Sequence, residues 1–531
     1  MPDAAKALAI PAQFNITEHF IERPAALHPD RIAILGEQEA VSYRELAQLT
    51  LRVAVALWRD GVRPGMRVLL VLPDLAEFVA AFFGAARIGA ISVPVNPFAM
   101  KDDYAHYIRD SGAEFTIVHA VAVAEFSVAA AKAGRSVESV FVGEAADTPR
   151  GWKAWREWIA EKAALPENLP STRATDAAFF LYTSGSGGSP KAAVHRHQDM
   201  LVTSHCYAYQ VLGIRANDRT YSVSKLYFAY GLGNGSYFPF SVGAATVFDP
   251  EKPRPQRAAA LLAKYRPTIF FAVPTFYAAL LNEGERGLAV DFSSVRLAVS
   301  AGERLPPEIF ERFKSRFHLE ILDGIGSTEM LHMFLSAQPG RARAGSCGVP
   351  VPGYGAKIVD ESGGPVANGE IGNLLVNGQS AFSEYWGIPK LTARTKLGEW
   401  VVTGDKFYAD ADGYFHYCGR ADDMMKVAGM WVAPTEVENA LLGHPCVVEA
   451  AVVAVIEADG LTRPLAFIVV PPDVAPTPAL AGGLKEFVKG RLPHYKCPAE
   501  IKFLDALPKT ATGKIQRFRL RGDAPIRNVS Q

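Results

Sequence analysis

A glycine- and hydroxyl-rich segment that ends in lysine is the part of the sequence best suited to hold phosphate. It reads Tyr182-Thr183-Ser184-Gly185-Ser186-Gly187-Gly188-Ser189-Pro190-Lys191 and follows the apolar run 178–182. Glycines let backbone N–H groups approach phosphate oxygens, hydroxyls add donors, and lysine supplies positive charge. The segment lacks the GxxxxGKS or GxxxxGKT pattern of P-loop NTPases. It favours a polyphosphate site of another kind, with a flexible surface loop as the alternative.

A second glycine-rich segment, Asp323-Gly324-Ile325-Gly326-Ser327-Thr328-Glu329, follows the apolar run 319–322. We expect a turn there, in which glycine allows the backbone to approach a planar ligand closely. Thr328 can donate to a phosphate, and Glu329 can bind Mg2+ while phosphate oxygens complete its shell. A single glutamate in a turn is more often solvated. The metal prediction for Glu329 therefore depends on the phosphate segment acting with it.

Two further segments carry charged residues in patterns that suit a nucleotide. Thr403-Gly404-Asp405 is followed by Arg420 in the run 419–429, and an aspartate reinforced by an arginine can bind both ribose hydroxyls. A surface ion pair at a domain boundary is the alternative. The composition changes at Asp422, where we predict a hinge. Near the C-terminus, Lys514 lies in the run 508–517, and taken alone it would be a solvated surface lysine.

The elements that must position these residues alternate between helix and strand. Helical patterns at 43–58 and 77–88 alternate with apolar runs at 68–71, 91–95, 178–182, 268–273, 297–300 and 319–322. Short runs separated by glycine turns follow from about residue 350, and then helices at 434–442 and 481–492 with strands at 447–455 and 465–470. The fold class predicted is α/β and α+β. We expect an N-terminal domain at 1–421, with a β-rich subdomain at about 350–421, and a C-terminal α+β domain at 422–531.

The composition excludes several classes of protein. The 531 residues include 55 Lys+Arg and 55 Asp+Glu, so no net charge favours a nucleic-acid or membrane partner. No run of about 18 apolar residues occurs, and the first residues do not resemble a signal peptide, so we expect a cytoplasmic location. The five cysteines are scattered, which is typical of structural thiols. We expect a monomer or homodimer.

In order and spacing, the four segments resemble the adenylate-forming superfamily of acyl-CoA synthetases, peptide-synthetase adenylation domains and luciferases. The resemblance covers about residues 14–521. It implies a large N-terminal domain and a small C-terminal domain that rotates between two half-reactions. ATP, Mg2+ and coenzyme A are the implied cosubstrates and metal. Adenylation of a carboxylic acid would come first, and transfer of the acyl group to a thiol would follow.

The resemblance also assigns roles residue by residue. Lys514 would bridge the attacking carboxylate and the α-phosphate, with Thr328 and Glu329 as phosphate and magnesium ligands and as the other catalytic residues. Asp422 would be the hinge, and Lys426 and Gly429 would lie near the CoA channel. The remaining nucleotide residues would be Thr183, Ser184, Gly185, Ser186 and Lys191 for phosphate, Gly302, Glu303, Asp323, Gly324 and Ile325 for adenine, and Asp405 and Arg420 for ribose.

Within that superfamily, residues 224–234 and 327–334 are most similar to benzoate-CoA ligases. By this resemblance the acid pocket would contain Phe228, Ala229, Tyr230, Gly326, His332 and Met333. An aromatic wall with small residues suits a flat ring and excludes long chains. Benzoate or a simple substituted benzoate is the expected substrate. 2-Aminobenzoate is an alternative because His332 could lie beside an ortho-amino group.

The sequence departs from the superfamily pattern in the phosphate segment and beside the adenine. Gly187 replaces a threonine and Ala192 a glycine, which predicts reduced efficiency rather than inactivity. Ile325 replaces a frequent tyrosine, so apolar packing would replace stacking. Two other functions stay open. An aryl acid adenylating enzyme could load a carrier protein instead of CoA, and a nucleotide- or aryl-acid-binding protein could have lost catalysis.

Overall fold

The computed structural model describes residues 8–37, 40–134, 137–160, 164–167, 169–183, 189–427, 430–456, 462–509 and 515–521. Within these residues, the strands in chain order are β1 (Ile32–Leu35), β2 (Ala40–Ser42), β3 (Arg67–Val71), β4 (Ile91–Pro94), β5 (Phe115–His119), β6 (Glu138–Val142), β7 (Lys153–Ala154), β8 (Ala177–Thr183), β9 (Lys191–Arg196), β10 (Arg219–Ser222), β11 (Ala245–Val247), β12 (Ile269–Ala272), β13 (Leu297–Ser300), β14 (Ile321–Gly326), β15 (Met333–Ser336), β16 (Val349–Pro350), β17 (Gly355–Val359), β18 (Gly372–Asn377), β19 (Lys396–Leu397), β20 (Trp400–Ala409), β21 (Phe415–Arg420), β22 (Met425–Val427), β23 (Met430–Val432), β24 (Glu449–Ile456), β25 (Thr462–Val469) and β26 (Glu500–Phe503).

The α-helices of the same residues are α1 (Arg23–Leu27), α2 (Tyr43–Arg59), α3 (Ala76–Arg87), α4 (Lys101–Ser111), α5 (Val123–Ala133), α6 (Trp155–Ala160), α7 (His197–Thr203), α8 (Ala229–Leu232), α9 (Phe238–Ser241), α10 (Pro255–Tyr265), α11 (Pro274–Glu285), α12 (Pro307–Phe317), α13 (Pro389–Thr395), α14 (Pro434–Leu442), α15 (Pro478–Lys489) and α16 (Arg517–Leu520). Short 3-10 or π turns lie at Glu18–Glu22, Ala120–Ala122, Ala145–Asp147, Ser204–Tyr209, Gly233–Tyr237, Thr328–Met330, Ala421–Asp423 and His494–Lys496.

A mostly parallel sheet carries the phosphate segment at its edge. Its described strands lie in the order β7-β6-β5-β3-β4-β8-β9, and only the β8–β9 pair is antiparallel. Successive residues of β3 face opposite cores, with Val68 in one and Leu69 in the other. Such a sheet is covered by helices on both faces, which explains its continuous apolar strands. Thr183 pairs with Lys191, so the phosphate segment joins two strands of a hairpin.

A second, larger sheet carries the other glycine-rich segment. Among the described strands its order is β16-β15-β14-β13-β12-β10-β11-β1-β2, parallel from β14 to β1 and antiparallel at both ends. Ile269 of this sheet and Val68 of the first belong to the same core, together with Leu46 of α2 and Phe82 of α3. The two sheets therefore share one apolar core, and helices lie within it.

The remaining described strands form smaller sheets toward the C-terminus. An antiparallel sheet has the order β17-β18-β20-β19, with β21 also paired to β20. After it, β22 and β23 form a hairpin, and β24, β25 and β26 form a mixed sheet that packs on α14 and α15. The mixed α/β sheets, with a large N-terminal and a small C-terminal unit, agree with the predicted fold class. The domain boundary at Asp422 stays a prediction. No helix of the described residues combines the length and the apolar character needed to cross a bilayer.

Candidate active site

The β8–β9 hairpin places Thr183 and Lys191 side by side at the edge of the first sheet. Ser184, Gly185, Ser186 and Gly187 lie outside the described residues. The ammonium nitrogen of Lys191 lies 4.0 Å from the ring centroid of Tyr385, a cation–π contact. Burial lowers the pKa of this lysine, while the carboxylate of Glu329 opposes the shift. Lys191 and Glu329 therefore lie within electrostatic reach of each other.

The second glycine-rich segment begins as strand rather than as the turn that the sequence predicts. Strand β14 continues through Gly326, because Gly324, Ile325 and Gly326 pair with β15. A Cβ at Gly326 would lie 2.4 Å from the carbonyl oxygen of His332, so this close pairing requires glycine. The turn starts only at Ser327, whose side chain accepts a hydrogen bond from the N–H of Met330.

That turn carries Thr328 and Glu329 and is held in a strained conformation. Buried Leu331, which follows it, has a φ of 69°, a left-handed conformation that costs a non-glycine residue roughly 1–3 kcal/mol. The imidazole of His195 on β9 donates from Nε2 to the carbonyl oxygen of Thr328 at 2.7 Å. Its Nδ1 lies 3.0 Å from Asp199 Oδ2. A fully buried side chain of the first sheet thus fixes the turn that follows a strand of the second.

A segment that sequence reasoning missed, residues 382–386, holds Glu329 from the other side. The N–H of Phe382 donates to the carbonyl oxygen of Glu329 at 2.7 Å, and the Tyr385 hydroxyl donates to Glu329 Oε1 at 2.6 Å. In the described part of the chain, Glu329 Oε2 has no hydrogen-bond donor. The segment pairs with β9 through the N–H of Ser383 and the carbonyl of Val194. No local pattern marks Tyr385, because only this pairing brings it to the site.

Asp405 and Arg420 face each other across the β20–β21 pair. Arg420 donates from Nη1 to Asp405 Oδ1 and to the carbonyl oxygen of Thr403, both at 3.0 Å. Burial alone would lower the pKa of Arg420, but the carboxylate of Asp405 raises it. Gly404 has a φ of 75°, and a Cβ there would lie 2.9 Å from Arg420 Nη2, so glycine is needed for the contact. The structure therefore brings the two predicted ribose residues together.

The predicted adenine residues lie at the carboxyl ends of neighbouring strands. Ser300 at the end of β13 pairs in register with Asp323 of β14, and Gly302 and Glu303 follow β13 directly. Burial raises the pKa of Asp323 to about 8, which favours the protonated carboxyl group at neutral pH. Within the described chain, Asp323 Oδ1 and Ser300 Oγ are buried and have no hydrogen-bond partner. Such atoms fit the polar edge of a planar ligand.

The residues predicted for the acid pocket lie beside and within α8 and near the turn between β14 and β15. Phe228 precedes α8, whose first residues are Ala229 and Tyr230, and Met333 begins β15 opposite Gly326. His332 is 3% exposed, and its ring centroid lies 5.5 Å from that of Tyr230. Tyr230 and His332 thus belong to one aromatic cluster, which also includes Tyr207 and Phe238.

His332 is a neutral polar group within this aromatic cluster. Burial lowers the pKa of its imidazole to about 3. Its Nε2 lies 3.2 Å from the side-chain oxygen of Asn234, a residue to which sequence reasoning gave no role. Among the described residues, His332 Nδ1 and Asn234 Nδ2 are buried and have no hydrogen-bond partner. A Cβ at Gly233 would lie 2.7 Å from the imidazole, so the close packing of His332 on this segment requires glycine.

The predicted C-terminal residues are only partly covered by the structure. Lys514 and Gly429 lie outside the described residues, as does the side chain of Lys426. The residues that flank Lys514 are fixed: Lys509 pairs with Ile515, and Arg517 on α16 binds both carboxylate oxygens of Glu438 at 2.8 and 2.9 Å. Arg521 Nη2 lies 2.6 Å from Asp423 Oδ1 and 3.3 Å from the carbonyl oxygen of Asp422. The segment after Lys514 is thus tied to the predicted hinge.

Together these contacts assemble a site at the meeting edges of the two large sheets. Lys191 and Arg420 supply positive charge, Thr328 supplies a hydroxyl, and Glu329 offers one carboxylate oxygen. This set suits a nucleotide polyphosphate with a hard cation such as Mg2+, which is usually held by one or two carboxylates and by phosphate oxygens. The aromatic cluster around His332 borders the same turn. The arrangement can therefore bring a flat organic acid next to a nucleotide.

Comparison with known proteins identifies the family. Residues 21–386 match the model of the AMP-binding enzyme family, and residues 436–514 match its C-terminal domain. The benzoate–CoA ligase of Thauera aromatica is 40% identical over 524 residues, which are 97% of each chain. The anthranilate CoA ligase AuaEII in complex with anthranoyl-AMP superposes with a TM-score of 0.90 at 37% identity, covering 96% of this chain and 97% of that one. A benzoate CoA ligase from Burkholderia xenovorans LB400 gives 0.87 at 39% identity, covering 96% and 100%. The chain therefore belongs to the AMP-binding enzyme family, the adenylate-forming group that its motifs predict.

Proposed function

We propose that the chain is an ATP-dependent aryl carboxylate:CoA ligase that acts on benzoate or a small substituted benzoate. The observation that carries this proposal is the position of the neutral aromatic cluster around His332, which borders the turn bearing Thr328 and Glu329. A flat apolar ring bound beside that cluster would bury no unpaired charge. The acid carboxylate would then point toward the nucleotide. Benzoate–CoA and anthranilate CoA ligases among the relatives support the aryl substrate class.

The first half-reaction joins the acid to AMP. A carboxylate oxygen attacks the α-phosphorus of ATP, the bond from this phosphorus to the bridging oxygen breaks, and pyrophosphate leaves. Both reactants are anions, so catalysis depends on positive charge placed between them. Lys514 takes that role in our proposal, while Lys191 and Thr328 bind the outer phosphates. Arg420 and Asp405 orient the ribose, and Gly302, Glu303, Asp323, Gly324 and Ile325 surround the adenine.

The residues present fit a magnesium ion that accompanies ATP. Glu329 Oε1 accepts a hydrogen bond from Tyr385, and Oε2 has no donor in the described part of the chain. This arrangement suits a cation that takes a single protein carboxylate. When bound, Mg2+ would neutralise phosphate charge and so favour departure of pyrophosphate. Glu329 is the residue that we propose as its ligand. Thr328 contributes its hydroxyl to the adjacent phosphate.

The second half-reaction transfers the acyl group to CoA. The CoA sulfur attacks the carbonyl carbon of the aryl-adenylate, and its thiol proton passes to solvent. The bond from this carbon to the oxygen that joins it to phosphorus breaks, and AMP leaves with that oxygen. A rotation about Asp422 would withdraw Lys514 and bring Lys426 and Gly429 toward the CoA channel. The anchored segment after Lys514 would move together with α14 because Arg517 binds Glu438. We expect the active unit to be a monomer or homodimer.

Two alternatives use the same site. The aryl-adenylate could be loaded onto the phosphopantetheine thiol of a carrier protein, which is chemically the same acceptor. A binding protein without turnover could also result if Gly187 weakened the phosphate loop. An ortho-amino group on the ring has specific support, since His332 Nδ1 is buried and has no hydrogen-bond partner among the described residues.

The test is a panel of acids with two readouts. Pyrophosphate release without CoA and AMP release with CoA are measured for benzoate, 2-aminobenzoate, 4-hydroxybenzoate, cyclohexanecarboxylate and hexanoate. We expect both signals with one or more of the benzoates and neither with hexanoate. Pyrophosphate without thioester would point to a carrier protein, and neither signal would favour the binding protein. Lys514→Ala should abolish pyrophosphate release, and normal release by this variant would refute the role of that lysine.

A further inference from the structure

Tyr385 contacts both charged side chains that the proposed function assigns to the phosphates and the metal ion. Its hydroxyl donates to Glu329 Oε1 at 2.6 Å, and the Lys191 ammonium lies 4.0 Å from its ring centroid. The side chain is 2% exposed. One tyrosine thus touches an anion with its hydroxyl and a cation with its ring face.

The surrounding chain holds this tyrosine in place. The N–H of Tyr385 donates to Thr392 Oγ1 at 2.9 Å, and Tyr385 also forms an antiparallel β-bridge with Ala193 of β9. Lys396 donates to the carbonyl oxygens of Phe382 and Ser383 at 2.7 and 3.1 Å. Because the backbone is fixed on both sides, the ring has little freedom to follow Lys191 or Glu329 if either side chain moves.

Lys191 and Glu329 carry opposite charges in a partly buried place, and such groups attract each other strongly. A direct ion pair between them would occupy the lysine charge that phosphate needs and the carboxylate oxygen that a metal ion needs. In the structure, Lys191 instead lies over the aromatic ring, and Glu329 accepts from the hydroxyl at the far end of the same side chain. The tyrosine gives each group a partner that ATP and its metal ion do not have to displace.

We propose that Tyr385 is a positioning residue that holds Lys191 and Glu329 apart, so that the ammonium faces phosphate and Glu329 Oε2 faces the magnesium ion. This inference rests on the proposed function. This role differs from packing, because it decides whether the Lys191 ammonium is available to phosphate and the Glu329 carboxylate to the metal ion. The hydroxyl therefore acts on metal-dependent nucleotide binding, and it has no part in acyl transfer from a preformed adenylate, which contains no polyphosphate.

The test compares Tyr385→Phe with Tyr43→Phe, a matched control. Tyr43 is fully buried, and its hydroxyl also donates at 2.6 Å, to the carbonyl oxygen of Ala244 far from the site. Calorimetry measures binding of the non-reactive analogue α,β-methylene-ATP over a range of Mg2+ concentrations. Loss of a hydrogen bond to a charged group predicts about a tenfold rise in half-saturating Mg2+ for Tyr385→Phe. We expect no rise for Tyr43→Phe, and wild-type thioester formation from supplied aryl-AMP in both variants.

A double-mutant cycle with Glu329→Gln separates positioning from general loosening. In the Glu329→Gln background there is no carboxylate charge to hold, so Tyr385→Phe should change analogue binding by less than about twofold. Equal effects of Tyr385→Phe in both backgrounds would overturn the inference, as would a wild-type Mg2+ dependence. If Tyr385→Phe also lost the thioester step, general unfolding would be the cause and the positioning role would be rejected. Wild-type protein that releases no pyrophosphate with any aryl acid would refute the proposed function instead, and analogue binding would still decide the role of Tyr385.

Discussion

His332 places a neutral imidazole in an otherwise aromatic cluster, and its protonation state affects the stability of the fold. The pKa of this imidazole is lowered from 6.5 to about 3 by burial. In the unfolded chain it takes up a proton near pH 6.5. Between these values the unfolded state binds more protons, so the free energy of unfolding falls as the pH falls.

The first prediction concerns the variant His332→Gln. When the pH is lowered from 6.5 to about 5, protonation of His332 in the unfolded chain should lower the free energy of unfolding of the wild type by about 2 kcal/mol. Glutamine does not titrate, so the difference between variant and wild type should grow in favour of the variant as the pH is lowered. It should be constant above about pH 7.5. Urea unfolding at several pH values measures this difference, and parallel curves would contradict the prediction.

The second prediction concerns Gly326. Because a Cβ there would lie 2.4 Å from the backbone carbonyl of His332, Gly326→Ala should lower the free energy of unfolding by about 1–3 kcal/mol and weaken aryl acid binding. Gly482→Ala is the matched control. Gly482 lies inside α15 with nothing within 4 Å of an added Cβ, so alanine should stabilise the protein by about 0.5–1 kcal/mol. Thermal unfolding and the KM for benzoate test both variants.

At the scale of elements, sequence patterns predicted positions well where one element buries a continuous apolar face. The helix expected at 43–58 is Tyr43–Arg59, and the strand expected at 297–300 is Leu297–Ser300. The capping box of Ser42 and Glu45 explains the sharp start of that helix. Periodicity and caps are local signals, so they are readable without the fold.

The patterns failed where pairing between distant strands decides the structure. The expected turn at Asp323 is strand, because β15 returns beside β14 as far as Gly326. A different kind of error concerns the helix expected at 481–492, which is Pro478–Lys489, because the local cap at Thr477 was overlooked. At the site, Asp405 and Arg420 were predicted together, but Tyr385 and Asn234 were not. Their contacts depend on partners distant in sequence, which no local spacing encodes.

The third prediction concerns the ion pair between Glu438 of α14 and Arg517 of α16. Arg517 binds Glu438 through three hydrogen bonds in a largely buried place. Glu438→Gln should lower the free energy of unfolding by about 3 kcal/mol, because the arginine charge loses its partner. Pyrophosphate release should slow because the segment after Lys514 is less firmly held. Glu486→Gln, which removes an exposed pair with Lys489, should leave denaturation and pyrophosphate release unchanged. Equal effects of the two variants would contradict this prediction.

At the scale of the whole molecule, the predicted hinge separates two halves of one reaction cycle. Asp422 lies in the turn Ala421–Asp423, between β21, which carries Arg420, and the C-terminal elements bound by Arg517 and Arg521. A rotation there moves α14 and α16 together. We therefore expect the flexible point between the two units to lie at this turn.

The fourth prediction uses Asp422→Pro to make the predicted hinge more rigid. Proline fixes φ and is accepted in the first turn of a helix, so the variant should keep the conformation seen here. We expect pyrophosphate release within about threefold of wild type, while aryl-CoA formation from supplied aryl-AMP falls at least about tenfold. Separate single-turnover assays of the two steps measure this. Equal slowing of both steps would argue against a hinge at this residue.

The hydrogen bond from His195 to Thr328 has a consequence for how this protein fails under stress. His195 belongs to the first sheet, and the segment that holds Glu329 is bonded to β9 of that sheet, whereas the turn that they hold follows a strand of the second. A slip of about one ångström between the sheets would break these contacts without unwinding any helix. Mild heat or denaturant should therefore inactivate the protein while its circular dichroism spectrum is still native. Turnover then reports the alignment of the two sheets more sensitively than any measure of secondary structure.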